Sequence, residues 1–135
     1  MLDSYVQAIG NRYQVLDKLG EGGMGAVYRV IDRLTGQIVA LKQVTLKHTQ
    51  TNEPTSDLRH ALTQEFTVLA SLRHPHIISV LDYGFAQNAQ PYFTLEFLEN
   101  AQSLVAYGQH KPIEEQVKLL IQMLQALAYL HQRGI

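Results

Sequence analysis

Gly20, Gly22, Gly23 and Gly25 fall within six consecutive residues of the stretch LGEGGMGAVYRV. Glycine has no Cβ, so a turn built this way lets backbone N–H groups approach a phosphate closely. The spacing fits G-x-G-x-x-G, a pattern shared by two kinds of phosphate site that are told apart by the element after the last glycine. A dinucleotide site opens a helix there and sets an acidic residue about 20 positions on. Here Val27, Tyr28, Val30 and Ile31 begin a strand, and VTLKHT holds no carboxylate. The Gly-Lys-Ser/Thr of a Walker loop is also missing after the glycines. There remains a β-hairpin tip with bare backbone, and a plain turn seldom needs four glycines.

Two charged residues give that tip chemistry. The run VALK places Lys42 on the strand face it shares with Ala40 and Val44. A lone lysine there usually snorkels to water. The helical stretch DLRHALTQEFTVLASL points to a different role. At about 100° per residue, Glu65 falls near the centre of an arc formed by Leu58, Ala61, Leu62, Val68, Leu69 and Leu72. A buried carboxylate without a cation costs several kcal/mol, so a Lys42–Glu65 pair is expected. It would fix an ammonium beneath the glycine tip, as a counter-charge for the inner phosphates of a nucleotide.

These residues need a scaffold, and period-two runs supply it. YQVLDKL, with Tyr13, Val15, Asp17 and Leu19 alternating against Gln14, Leu16 and Lys18, reads as a strand. AVYRVID, QIVALKQVTL, IISVLDYGF and QPYFTLEFL read likewise. The polar HTQTNEPTS reads as a loop, and Thr55 or Ser56 as the cap of the next helix. The expectation is an α+β fold: a five-stranded, mostly antiparallel sheet with one main helix, over residues 13–98, after an extension of residues 1–12. Residues 99–135 differ: SLVAYGQ reads as a short helix, and Pro112 opens a long one that ends at Gly134. Its apolar stripe is Val117, Leu120, Ile121, Leu124, Leu127 and Ala128.

Composition narrows the partners. With 135 residues, 46% hydrophobic, 17% charged and a net charge of -1, the chain suits one globular domain and carries no basic cluster for nucleic acid. There is no cysteine, hence no disulfide or thiolate metal site. His74 and His76 flank a proline without a third ligand at a fitting distance, and read as turn histidines rather than a metal site. No stretch reads as a membrane span or a secretory signal, so a soluble, cytoplasmic protein is expected.

The glycine loop LGEGGMGAVY, the strand VALK, the helix EFTVLASLRHPHII, the strand and linker PYFTLEFLEN and the closing YLHQRGI together resemble the protein kinase catalytic domain, in the family's order and spacing. GGMGAVY looks most like the bacterial serine/threonine kinases. The resemblance implies a kinase N-lobe followed by the first C-lobe helices. It implies ATP as ligand, with Gly20, Glu21, Gly22, Gly23 and Gly25 forming a lid over the phosphates and Met24 at its tip. Leu19, Val27 and Ala40 would roof the adenine, and Lys42 would contact the α- and β-phosphates while pairing with Glu65. Leu95 matches the gatekeeper position, Glu96 and Leu98 the hinge, and Leu69 and Val80 the upper half of a hydrophobic stack. The family continues past YLHQRGI into H-R-D, an Asn, D-F-G and A-P-E, which supply the catalytic Asp and the Mg2+ ligands; none of these lies in the 135 residues. The complete domain would phosphorylate protein Ser or Thr, while these residues alone would be inactive. Without a second lobe, the stripe of residues 113–134 would pack poorly or self-associate. The alternative is a non-catalytic interaction module that docks a protein on that stripe.

Overall fold

The structure, a computed structural model, describes residues 8–23, 25–45, 56–87 and 89–135. Met24, Thr55, most of the HTQTNEPTS stretch, the start of the 1–12 extension and the side chain of Leu58 lie outside the described residues. The elements are β1 (Ala8–Ile9), β2 (Tyr13–Gly22), β3 (Gly25–Asp32), β4 (Ile38–Val44), α1 (Ser56–Ser71), β5 (Val80–Phe85), β6 (Pro91–Glu96), α2 (Leu104–Gly108) and α3 (Ile113–Gln132). They form two compact units, Met1–Leu72 with Ser79–Phe97, and Arg73–Ile78 with Leu98–Ile135.

In the first unit one sheet runs in the order β1-β2-β3-β4-β6-β5, and every neighbouring pair is antiparallel. The five strands read from the sequence are all there. The sixth, β1, adds two residues through a turn at Gly10 and Asn11, whose φ values are 60° and 58°. Such left-handed pairs suit tight hairpins, and Gly-Asn is a signal for one.

The alternation expected in β2 holds only as far as Val15. Register shifts between Val15 and Asp17 and between Lys18 and Gly20 leave Leu16 and Leu19 without direct partners. Each bulge advances the strand by half a pleat, so the side-chain phase changes twice before the glycines. Beyond the second bulge Gly20 pairs with Val27 and Gly22 with Gly25.

The register sorts side chains onto two faces. One face buries Tyr13, Val30, Val39, Leu41 and Tyr92 with Ile9 from β1, and Tyr13 meets Tyr92 edge-on at 5.7 Å. The opposite face carries Val27, Ala40, Lys42, Phe93 and Leu95, and α1 packs there through Phe66, 5.4 Å from both Tyr83 and Phe93.

A charged clamp closes the curl of the sheet. Arg12 Nε and Nη2 donate to the two carboxylate oxygens of Asp32 at 2.8 and 2.7 Å, and Nη1 donates to Asp82 at 2.8 Å. The Tyr13 hydroxyl reaches the same Asp82 oxygen at 3.1 Å. Asp32 is 5% exposed, which makes it a buried carboxylate with a bidentate partner. The hydrogen bond from Arg12 holds its carboxyl well below the usual carboxylate range. Burial pushes the Tyr13 phenol up to about 12.

In the second unit, Ser103 caps α2 by accepting the Ala106 N–H at 3.1 Å, and Gln116 of α3 donates to the Gly108 carbonyl at 3.0 Å. Glu114 and Glu115 occupy the first turn of α3, where the helix dipole favours acids. Its other end closes as a Schellman motif: Gly134, at φ 74°, donates to His131, and Ile135 donates to Leu130. None of the α3 residues is buried, and Val117, Leu120, Ile121, Leu124 and Leu127 are 40–59% exposed. Among the described residues no helix is long and apolar enough to cross a membrane.

Candidate functional site

The β2–β3 hairpin ends at the Gly22–Gly25 pair, and its inner side faces a cavity of about 320 Å³. Gly20, Glu21, Gly22, Gly23, Gly25, Val27 and Lys42 line it. The glycines do two different jobs. A Cβ on Gly20, Gly22 or Gly23 would meet nothing within 4 Å, so these residues leave the backbone open to whatever enters. Gly25 is a packing requirement: at φ 132° a Cβ would overlap the carbonyl oxygen of Gln43 on β4.

Lys42 reaches the cavity by register. It sits opposite Val27 on β3 and Phe93 on β6, and its Nζ lies 5.9 Å from the centre of the Phe93 ring. Among the described residues its ammonium makes no ion pair. Glu21, the only acid among the described lining residues, is held by Lys18 at 2.6 Å. The site therefore presents bare loop backbone and one half-buried ammonium, a combination that suits an anion with several oxygens.

The expected Lys42–Glu65 pair is not formed, and Glu65 is exposed. Among the described side chains of α1 Phe66 is the buried one, and Leu72 is buried just past the helix end, while Ala61 and Val68 are exposed. Phe66 carries the aromatic contacts, and with it at the centre of the buried face Glu65 lies about 100° away around the helix. The aliphatic arc does not centre the face; the ring that fills the space between Tyr83 and Phe93 does.

The remaining expected residues lie around this cavity or apart from it. Ala40 and Leu95 pair with each other on the Lys42 face of the sheet, outside the lining of the glycine cavity. Leu19 is the second bulge residue, 48% exposed, and does not line the cavity. Glu96 is exposed at the end of β6, its N–H bonded to the Ser79 carbonyl at 3.1 Å. Leu98 belongs to the second unit and is 53% exposed. Val80 is buried and Leu69 half-buried.

Comparison with known proteins agrees with this geometry. The chain is 35% identical over 127 residues to cell division control protein 2 homolog 3 of Trypanosoma brucei brucei, covering 93% of this chain and 39% of that protein. It is 29% identical over 126 residues to fhkA of Dictyostelium discoideum, whose name gives it as a probable serine/threonine-protein kinase, covering 91% of this chain and 21% of that protein. Among solved structures, the PknI kinase domain of Mycobacterium tuberculosis superposes with a TM-score of 0.72 at 25% identity, over 100% of this chain and 53% of that one. The chain thus spans about half or less of the length of these proteins. The protein kinase domain model matches residues 13–135, and the chain belongs to that family.

Proposed function

We propose that these residues are the ATP-binding part of a serine/threonine protein kinase, whose complete domain transfers a phosphoryl group from ATP to protein Ser or Thr. The observation that carries this is the cavity shared by the glycine backbone and the Lys42 ammonium. Loop amides can cradle phosphate oxygens that no Cβ shields, and Lys42 neutralises their charge. Val27, Ala40 and Leu95, on the same face, provide the apolar surface for a base, with Glu96 as the backbone that would bond its edge. The triphosphate fits these residues. Magnesium has no free carboxylate among the described lining residues, because the acid there, Glu21, is paired with Lys18. Phosphoryl transfer needs those ions and a base, so the 135 residues alone are proposed to be inactive. GGMGAVY supports a bacterial source, and a cytoplasmic location goes with the ATP requirement.

The test is a thermal shift. ATP at about ten times its Kd should add about 1.4 kcal/mol to stability, a rise of a few degrees in Tm. Lys42→Ala should remove the rise while leaving the apo Tm nearly unchanged. No shift at millimolar ATP in the parent chain would overturn the reading.

A second reading, a protein-interaction module, draws on the open apolar face of α3. Contiguous exposed apolar surface of this kind promotes association. In sedimentation, copies are expected to associate with rising concentration. Leu124→Asp should return them to monomers without altering the ATP shift. A chain that stays monomeric throughout would eliminate self-association through this helix.

A further inference from the structure

Residues 73–78 continue from α1 into β5, and within the second unit they rest on α3 through Tyr129. The Tyr129 hydroxyl accepts the Arg73 backbone N–H at 2.8 Å. Its ring centre lies 5.0 Å from that of His74, and the Arg133 guanidinium carbon sits 3.6 Å from the same ring centre. The ring of His74 also faces His76 at 5.4 Å.

One contact depends on protonation. The Nδ1 atom of His74 accepts the backbone N–H of His76 at 3.1 Å. A backbone N–H can only donate, so this turn exists only while Nδ1 carries no proton. The titratable or charged groups facing His74 are His76 on the loop and Tyr129 and Arg133 on α3, with Arg73 its neighbour in the chain. Among the described residues no carboxylate pairs with His74. Among the described residues, a proton on its imidazole therefore has cations or potential cations as its charged neighbours.

We propose that this joint is a pH-sensitive latch between the 73–78 loop and α3. Protonation removes the acceptor that shapes the turn and sets a cation beside the Arg133–Tyr129 stack. The loop then leaves Tyr129, and the bond from the Arg73 N–H opens with it.

The experiment is residue-resolved amide exchange on the whole chain at pH 7.5 and pH 5.5, corrected for intrinsic exchange rates. Protection at Arg73 and His76 should fall about tenfold on acidification, the worth of one net hydrogen bond, while Val30 and Leu41 in the sheet keep theirs. His74→Asn retains a side-chain acceptor for the amide two residues on but does not titrate. It should hold its protection at both pH values. Unchanged protection in the parent chain would overturn the latch, as would an equal fall in His74→Asn. An equal fall at Val30 and Leu41 would also overturn it, since the acid effect would then be global unfolding.

Discussion

Gly25→Ala is expected to destabilise the first unit by about 3 kcal/mol. Two causes combine at this residue. Its φ of 132° is a backbone region that side chains rarely adopt, and the added methyl would overlap the Gln43 carbonyl oxygen across the β3–β4 pair. The obstacle is backbone inside a ladder, so it cannot rotate away as a side chain would. Urea unfolding should show a lower midpoint with an unchanged slope. Gly22→Ala, whose methyl points into open space, should stay within about 1 kcal/mol of the parent chain. A Gly25→Ala chain as stable as the parent would show that the hairpin tip does not need this backbone conformation.

Arg12→Ala should cost about as much, about 3 kcal/mol at pH 7, the lower end for breaking a buried ion pair because Arg12 is itself partly exposed. The substitution leaves Asp32 buried and charged, and takes from Asp82 its cation. The pH dependence identifies the cause. In the parent chain the folded pKa of Asp32 is depressed, so its contribution is present above the unfolded value of about 3.9 and is lost as pH falls below it toward the folded value. Without Arg12 the buried carboxyl gains by taking a proton. The stability gap between the two chains should therefore narrow as pH falls through the raised Asp32 pKa of the Arg12→Ala chain. A gap of constant size from pH 7 to pH 3.5 would assign the loss to packing instead of charge.

The strands were legible because period-two apolar runs and turn residues are local signals. The cavity lining was legible for the same reason: the glycines, Val27 and Lys42 lie on adjoining strands joined by short turns, so their meeting needs only register. Packing between a helix and a sheet is not local, and Glu65 shows the consequence. The arc of aliphatic residues is present in the sequence, yet it does not say how much space an aromatic ring will take. A carboxylate on an apolar face does need a cation, but here that carboxylate is Asp32 and not Glu65. Ala26, Tyr28, Val30 and Asp32 share one face of β3, with Ala26, Val30 and Asp32 buried. Asp32 is the acid in the core-facing phase, but its partner Arg12 lies 20 residues away and Asp82 another 50 beyond. No local pattern joins those three. The bulges in β2 were equally silent, since an inserted residue changes the phase without changing composition.

The curl of the sheet also bears on aggregation. A strand at the rim of an open sheet offers a row of backbone donors and acceptors that can template another chain. Here one rim strand has two residues, and the turn after it is tied to the far side of the sheet by Arg12–Asp82 and by Gln87 donating to Asn11 at 2.8 Å. Gly10 and Gly84, from the two ends of the strand order, abut the same Tyr92 hydroxyl, which leaves no room for a side chain at either. The rims thus guard one another, and a third strand finds little to pair with. The association proposed above through the oily side of α3 is thus one of helices and not growth of a β-sheet.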